Sequence, residues 1–382
     1  MLERKEIQEI AGNYPEDVTI GVLGSHSAEE VGIAAKAFGF STVVVCQKGR
    51  DALYAKHNAH LFDKIITLDK FSDIARNEIQ EKLRELNTIF IPNRSFSVYV
   101  GYDAIENSFK VPIYGNRLLL RTEERNETKN QYWLLEKAGI RIPKEFNSPS
   151  EIDRLVIVKV QQKYRPNERA FFYCSSNEEF KNKSKELIEK DVISEDDLRK
   201  ARIEEFVLGQ KFNANFHGWL LKEISDFDFL GFDERKQTNL HGILSLPAKE
   251  QLNLNIPIVN EEVGHSGLTM RESQKPLVYE AAEKFRKICD KEFPPGIFGL
   301  FSLQGALAYD GNDLEFFVFD VSPRVPGAPA VGPTSPEMRR LTLKYAKLLA
   351  QFSIQKIETP MDLSMLEIKH AVKNNMIKEI VM

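Results

Sequence analysis

The stretch PPGIFGLFSLQGALAYDGNDLEFFVFDVSPRV, Pro294–Val325, reads as two apolar strands joined at a Gly-Asn-Asp turn, and its second half carries a charge problem. In EFFVFDVSPRV (Glu315–Val325) an acid sits inside a run of five apolar residues, and a cation follows four positions later. Alternate side chains of a strand share a face, so Phe316, Val318, Asp320, Ser322 and Arg324 point one way and Phe317, Phe319 and Val321 the other. A carboxylate beside that much apolar surface needs a partner: Arg324, a metal, or water at an exposed strand end. If Asp310 and Leu314 close a three-residue loop, Gln304 falls opposite Asp320 on the same face. Two oxygen donors about 5 Å apart on neighbouring strands suit Mg²⁺, which combines one or two carboxylates with phosphate oxygens and water. The competing reading is a surface pair between Asp320 and Arg324.

The rest of the chain narrows the classes that could use such a site. Its 382 residues exceed one small domain, and 42% hydrophobic with 28% charged residues describe a globular protein with a real core. The net charge of −4, from 52 basic and 56 acidic side chains, gives no field that draws the chain to nucleic acid or a membrane. The N-terminal MLERKEIQEIAGNYPED lacks the apolar core of a secretory signal, and no stretch approaches the roughly 18 apolar residues of a membrane span. Cys46, Cys174 and Cys289 are odd in number and widely separated, as free thiols of a reducing cytoplasm would be.

The N-terminal region alternates buried strands with helices. DVTIGVLG, STVVVCQKG, KIITLD and NTIFIP are strands, and helices are expected between them, one from about residue 71 to 86. This pattern predicts a parallel sheet covered on both faces, with ligands beyond the carboxyl ends of its strands. Gly24-Ser25-His26-Ser27 and Asn93-Arg94-Ser95-Phe96 sit at two such ends. They form an anion site, or Ser25 or Ser27 simply caps the following helix. Gly21 and Gly24 do not complete a dinucleotide-binding G-x-G-x-x-G.

One long helix from about 118 to 138 is expected next, with Arg121, Glu123, Glu124 and Arg125 on a solvated face. LVIVKV follows and carries Lys159, either a cation for a nucleotide phosphate or a strand-edge lysine that discourages aggregation. The segment then returns through RAFFYCSS as a hairpin. RIEEFVLGQKFNANF begins a β-rich third region, and EEVGHSGLTMRES is read as a loop holding His265.

A strand lysine, an E-E-F-V-x-G strand, a glutamine strand and a terminal D-x-S-x-R strand together resemble the ATP-grasp fold. Across nearly the whole chain, GSHS, IPNRSF, NRLLLRTEER, IEEFVLG, MRES and FDVSPRV resemble the 5-formaminoimidazole-4-carboxamide ribonucleotide synthetase family. The resemblance implies a fold of mixed α/β and α+β class, an ATP-grasp fold with an N-terminal parallel-sheet (Rossmann-like) domain. Its division would be 1–117 for substrate, 118–208 for a linker helix and small lid, and 209–382 for the catalytic domain. It implies an ATP- and formate-dependent ligase that formylates the 5-amine of aminoimidazole carboxamide ribonucleotide through formyl phosphate, in purine biosynthesis.

By position, Lys159, Glu204, Glu205, Phe206, Val207 and Gln237 would bind ATP; His26, Ser95 and His265 the ribonucleotide; and Gln304 and Asp320 Mg²⁺, or Mn²⁺ in its place. Arg324 would be catalytic, beside the γ-phosphate or acyl phosphate. The family also implies a cytoplasmic homo-oligomer. Three positions and one segment depart from the family pattern. Gln237 replaces an acid, His265 an asparagine and Asp320 a glutamate. QQKYRPNE (161–168) has a proline and no glycine where the family has a flexible phosphate loop, and Lys163 and Arg165 could supply charge there instead. A ligase for another carboxylate and amine, or a non-catalytic nucleotide-binding protein, would share the same fold.

Overall fold

A computed structural model describes residues 1–124, 127–161, 169–254, 262–327 and 336–382. The chain divides into two compact units, one of 1–140, 211–305 and 320–382, the other of 141–210 and 306–319. In the first unit, helix α1 (Arg4–Gly12) precedes strand β1 (Thr19–Leu23), helix α2 (Ala28–Ala37) and strand β2 (Ser41–Gln47). Strand β3 (Lys64–Leu68), helix α3 (Asn77–Glu85), strand β4 (Thr88–Ile91) and helix α4 (Arg94–Val100) continue the series. The sheet order is β3-β2-β1-β4, and all its pairs are parallel. All five residues of β1 are buried, which is why its sequence is a continuous apolar run rather than an alternation. Helix α3 starts later than the sequence suggests, because 71–75 form a 3₁₀ turn first.

The single helix expected over 118–138 is not there. Asn116 caps a four-residue helix, Arg117–Leu120, by accepting from Leu118 N at 3.0 Å. A 3₁₀ turn, Arg121–Glu123, follows, and Asn130 caps a second helix, Gln131–Lys137. Arg117 is buried and pinned by the carbonyls of Ile105, Phe109 and Met382, so the first helix cannot slide to join the second. Two asparagine caps outweigh the good helix formers between them. Arg125, on the expected solvated face, lies outside the described residues.

In the second unit, strands β5 (Glu145–Phe146), β6 (Val156–Gln161), β7 (Arg169–Cys174) and β8 (Arg202–Glu205) form a sheet in the order β5-β8-β6-β7. Strand β6 is interior, which excludes the strand-edge reading of Lys159. Val156, Val158 and Val160 face a core with Phe146, Phe172, Phe180 and Ile203. Lys159 and Ile157 take the other face, and Ile157 pairs with Glu204. Gly209 lies so close to Leu307 that a Cβ there would sit 2.2 Å from the Leu307 carbonyl oxygen, so any side chain would displace the backbone.

The remaining strands are β9 (Gln210–Gly218), β10 (Phe227–Gln237), β11 (Glu262–Leu268), β12 (Gly299–Asp310) and β13 (Asp313–Ser322), in the order β11-β10-β9-β12-β13. His265 is therefore on a strand, not in a loop; antiparallel pairing with β10 sets it opposite Arg235. The β12–β13 turn is also tighter than expected, with Gly311 and Asn312 alone between the strands and Gly311 at φ 65°. An uninterrupted register from that turn would set Gln304 opposite Phe319. Yet Ser302, Gln304, Asp320 and Ser322 line one cavity, and Gln304 Nε2 donates to Ser322 Oγ at 3.1 Å.

Candidate active site

The first wall of the site is built by Asn93. Fully buried at the end of β4, it donates from Nδ2 to the carbonyls of Leu23, Ser25 and His26, each at 3.0 Å. Its Oδ1 accepts from Phe96 N and caps α4. One side chain thus holds together two strand ends of the parallel sheet and fixes where His26 emerges. Ser27 stands at the start of α2 with φ 65°, but its side chain caps nothing; its hydroxyl donates to the Pro326 carbonyl at 3.1 Å. Ser95 lies two residues beyond Asn93 and is buried, and it is not among the residues that line the cavity.

That cavity, of about 220 Å³, is in the first unit. His26, Arg94, Glu123, Arg235, Glu262, His265, Gln304, Asp320 and Arg324 line it, with Gly327 at its edge. The structure thus gathers five of the sequence-derived residues, His26, His265, Gln304, Asp320 and Arg324, in one place. Burial, and then the positive charge of Arg324, push the His26 pKa down to about 4, so its ring is neutral at physiological pH.

Arg324 does not pair with Asp320. Its Nη2 binds Glu123 Oε1 at 2.8 Å, and Glu123 Oε2 holds Arg94 Nη1 at 2.6 Å. The surface-pair reading of Asp320 fails for that reason. Asp320 has no ion pair among the described residues, and Gln304 Oε1 accepts weakly from Arg235 at 3.4 Å. A carboxylate and an amide oxygen lining one cavity are oxygen donors of the kind a hard cation uses. Among the described residues no group of three or more His, Cys, Asp or Glu could hold a metal alone.

His265 sits between two carboxylates. Its Nδ1 is 2.5 Å from Asp233 Oδ2, and its Nε2 is 3.0 Å from Glu262 Oε1. Asp233 is fully buried and also accepts from Asn213 at 2.7 Å and Asn215 at 2.6 Å. Burial alone would lower the His265 pKa, but the bonds to Asp233 and then Glu262 outweigh it and raise it to about 9. The ring is cationic, and both its nitrogens face carboxylates.

In the second unit, Lys159 Nζ pairs with buried Glu204, whose other oxygen lies 2.7 Å from Arg202 Nε. Glu205 binds Arg154 at 3.2 Å and the Lys144 amide at 3.1 Å. Phe206 packs edge-on against Tyr173, and Val207 joins Ala306, Ala308 and Phe317 in a small apolar cluster. Gln237 ends β10 in the first unit, where its backbone N–H meets His241 Nδ1 at 3.0 Å; it does not line the cavity. Lys163 and Arg165 of the expected phosphate loop lie outside the described residues.

Sequence reasoning missed Asn93 as a brace, Arg235 and Glu262 as lining residues, and Glu123 as a buried bridge. The Asn93 signal was available, since an asparagine before a helix following a buried strand is a cap. Glu123 gave none, because its role depends on a helix that stops early.

Residues 20–146 match a family described as a protein of unknown function (DUF1246), and 179–382 match a domain of unknown function (DUF1297). The 5-formaminoimidazole-4-carboxamide-1-(beta)-D-ribofuranosyl 5'-monophosphate synthetases of Methanocaldococcus jannaschii and Methanopyrus kandleri are each 40% identical over 328 residues, 86% of this chain and 88% of theirs. The solved IMP biosynthesis protein PurP from Thermococcus kodakaraensis superposes with a TM-score of 0.66 at 21% identity, covering 95% of this chain and all of that one. An N5-carboxyaminoimidazole synthetase from Staphylococcus aureus complexed with ADP gives 0.52 at 13% identity, covering 83% and 73%. These likenesses establish the ATP-grasp fold. With 40% identity across most of both chains, this protein belongs to the 5-formaminoimidazole-4-carboxamide ribonucleotide synthetase family.

Proposed function

We propose that this protein is an ATP-dependent carbon–nitrogen ligase that formylates the 5-amine of aminoimidazole carboxamide ribonucleotide in purine biosynthesis. The observation that carries the reading is the composition of the cavity. Three arginines and a histidinium line the cavity with Glu123 and Glu262, which pair with them, and with Asp320, which has no ion pair among the described residues, inside a chain 40% identical to named synthetases. Formate would attack the γ-phosphorus of ATP, releasing ADP and leaving formyl phosphate. The amine nitrogen would then attack the formyl carbon, the carbon–oxygen bond to phosphate would break, and inorganic phosphate and a proton would leave. Both steps pass through charge on oxygen, so positioned cations accelerate them more than a protein nucleophile could.

Arg324 is the residue we assign to that charge, fixed by Glu123. Gln304 and Asp320 would hold Mg²⁺, or Mn²⁺, which when bound neutralises adjoining phosphate oxygens. His26 and Ser95 are assigned to the ribonucleotide. His265 contributes there through its charge, since its nitrogens are engaged. Lys159, Glu204, Glu205, Phe206, Val207 and Gln237 are assigned to ATP from the family resemblance. Three buried free thiols suit a reducing compartment, the cytoplasm. No helix among the described residues is long and apolar enough to cross a membrane. A homo-oligomer is assigned from the family resemblance.

Purified protein incubated with ATP, formate and the ribonucleotide should form ADP, phosphate and formylated ribonucleotide in equal amounts. ADP formation only with another acid or amine, or nucleotide binding without turnover, would refute the assignment.

A further inference from the structure

Glu123 belongs to a run, RTEER, whose charges look like an exposed helical face. Instead the helix stops at Leu120, and the 3₁₀ turn Arg121–Glu123 rotates Glu123 inward until its side chain is 6% exposed. Gln131 fixes the turn: its Nε2 donates to the Glu123 carbonyl at 3.2 Å, and its Oε1 accepts from the Val321 amide of β13. Turn and strand are thereby locked together one residue from Asp320.

In this position each carboxylate oxygen of Glu123 holds one arginine, Arg324 and Arg94. Removing one partner from such a buried charge group leaves the others uncompensated, so the arrangement is kept as a unit. Arg324 also donates to the Val325 carbonyl at 2.9 Å, and its Nε is buried without a partner among the described residues. Arg94 has Tyr102 at 3.4 Å and Glu124 at 3.7 Å as further neighbours. Because a planar guanidinium presents five N–H groups, each arginine keeps donors beyond those committed to protein.

We propose that Glu123 is a positioning residue that holds Arg324 and Arg94 side by side as a two-armed receptor for a phosphate-type oxyanion. This rests on the ligase reading above, which supplies two sources of that chemistry: the phosphate of the ribonucleotide and the phosphoryl group passing to formate. Glu123 touches neither; it acts through the two arginines.

The test is Glu123→Gln, which keeps the shape and removes the charge. If the receptor holds the ribonucleotide, its KM rises about ten- to a hundredfold with kcat retained, the usual effect of losing a residue that orients a binding group. If it holds the transferred phosphoryl group, kcat falls by that factor and KM stays. Either supports the proposal; unchanged kinetics would overturn it, as would losses that add in full when Glu123→Gln is combined with Arg94→Gln. A second measurement is independent of the reaction. Inorganic phosphate should raise the thermal midpoint of wild type at matched ionic strength, and of Glu123→Gln much less. That result with no formylation in wild type would refute the ligase reading and leave the receptor standing. No midpoint gain from phosphate in wild type would overturn the receptor. Should Glu123→Gln fail to fold, the half-exposed Arg94→Gln replaces it in both measurements, with the same expected losses.

Discussion

Raising the pH through 9 should unlock the brace around His265, and the size of the effect follows from its two carboxylates. The folded ring titrates at about 9 against an ordinary 6.5. At 1.36 kcal/mol per unit, that difference is about 3 kcal/mol at most, and about 2 kcal/mol after allowing for water at the cavity mouth. The folded state favours the cation, so this stability is fully present below pH 6.5, declines as pH rises, and is gone above about 9. His265→Gln removes the term at every pH. Thermal midpoints of variant and wild type should therefore differ most at pH 6 and converge near pH 9.5. Taking the difference cancels the other groups that titrate in this range. Ring NMR shifts of His265 give the same quantity directly. A measured pKa below about 7, or a midpoint gap that is constant from pH 6 to 9.5, would refute the bracketing by Asp233 and Glu262.

Other consequences can be checked in the same preparation. Asp320→Asn should fold with an unchanged or higher midpoint, because it neutralises a carboxylate that has no ion pair among the described residues. It should also lose Mg-ATP stabilisation and about 10²–10³ of kcat; stabilisation by Mg-ATP equal to wild type would remove Asp320 from the metal site. Glu30 is fully buried, and burial, with nearby Asp362, raises its carboxyl to about 8. Wild type should lose stability as pH rises from 4.5 to 8, on the order of 4 kcal/mol, and Glu30→Gln should flatten that slope; a parallel pH curve for the variant counts against it. Gly327→Ala would bring a Cβ to 3.0 Å from His26 Nε2 and 3.2 Å from Glu262 Oε1. It should raise the ribonucleotide KM with little change in midpoint, and an unaltered KM would show that His26 does not meet the substrate.

What could be read from the sequence was what local pattern dictates. Three of the four parallel strands, β1, β2 and β4, stand out because burial on both faces demands unbroken apolar runs, whereas β3 is a mostly exposed edge strand. The β12–β13 turn and the strand at His265 do not stand out, because register is set by a partner far away in sequence. Counting from Gly311 gives Gln304 a neighbour on the wrong face, yet Gln304 and Asp320 line the same cavity.

The site divides along the same line. His26, Gln304 and Asp320 could be placed because each sits at a strand end or on a strand face whose direction the alternation fixes. Arg324 could be placed as a residue but not by its partner. The sequence offers Asp320, four positions away, and the structure uses Glu123, about 200 positions away, leaving the nearer acid without an ion pair among the described residues. That choice has a physical cause. β13 ends at Ser322, so Arg324 lies in the bend beyond Pro323 and not on the strand that carries Asp320, and the turn held by Gln131 brings Glu123 alongside. An arginine satisfied by Asp320 would also consume the charge a cation needs. Separating the two acids, Glu123 for arginines and Asp320 for the metal, lets one cavity hold anion-binding and cation-binding groups without their neutralising each other.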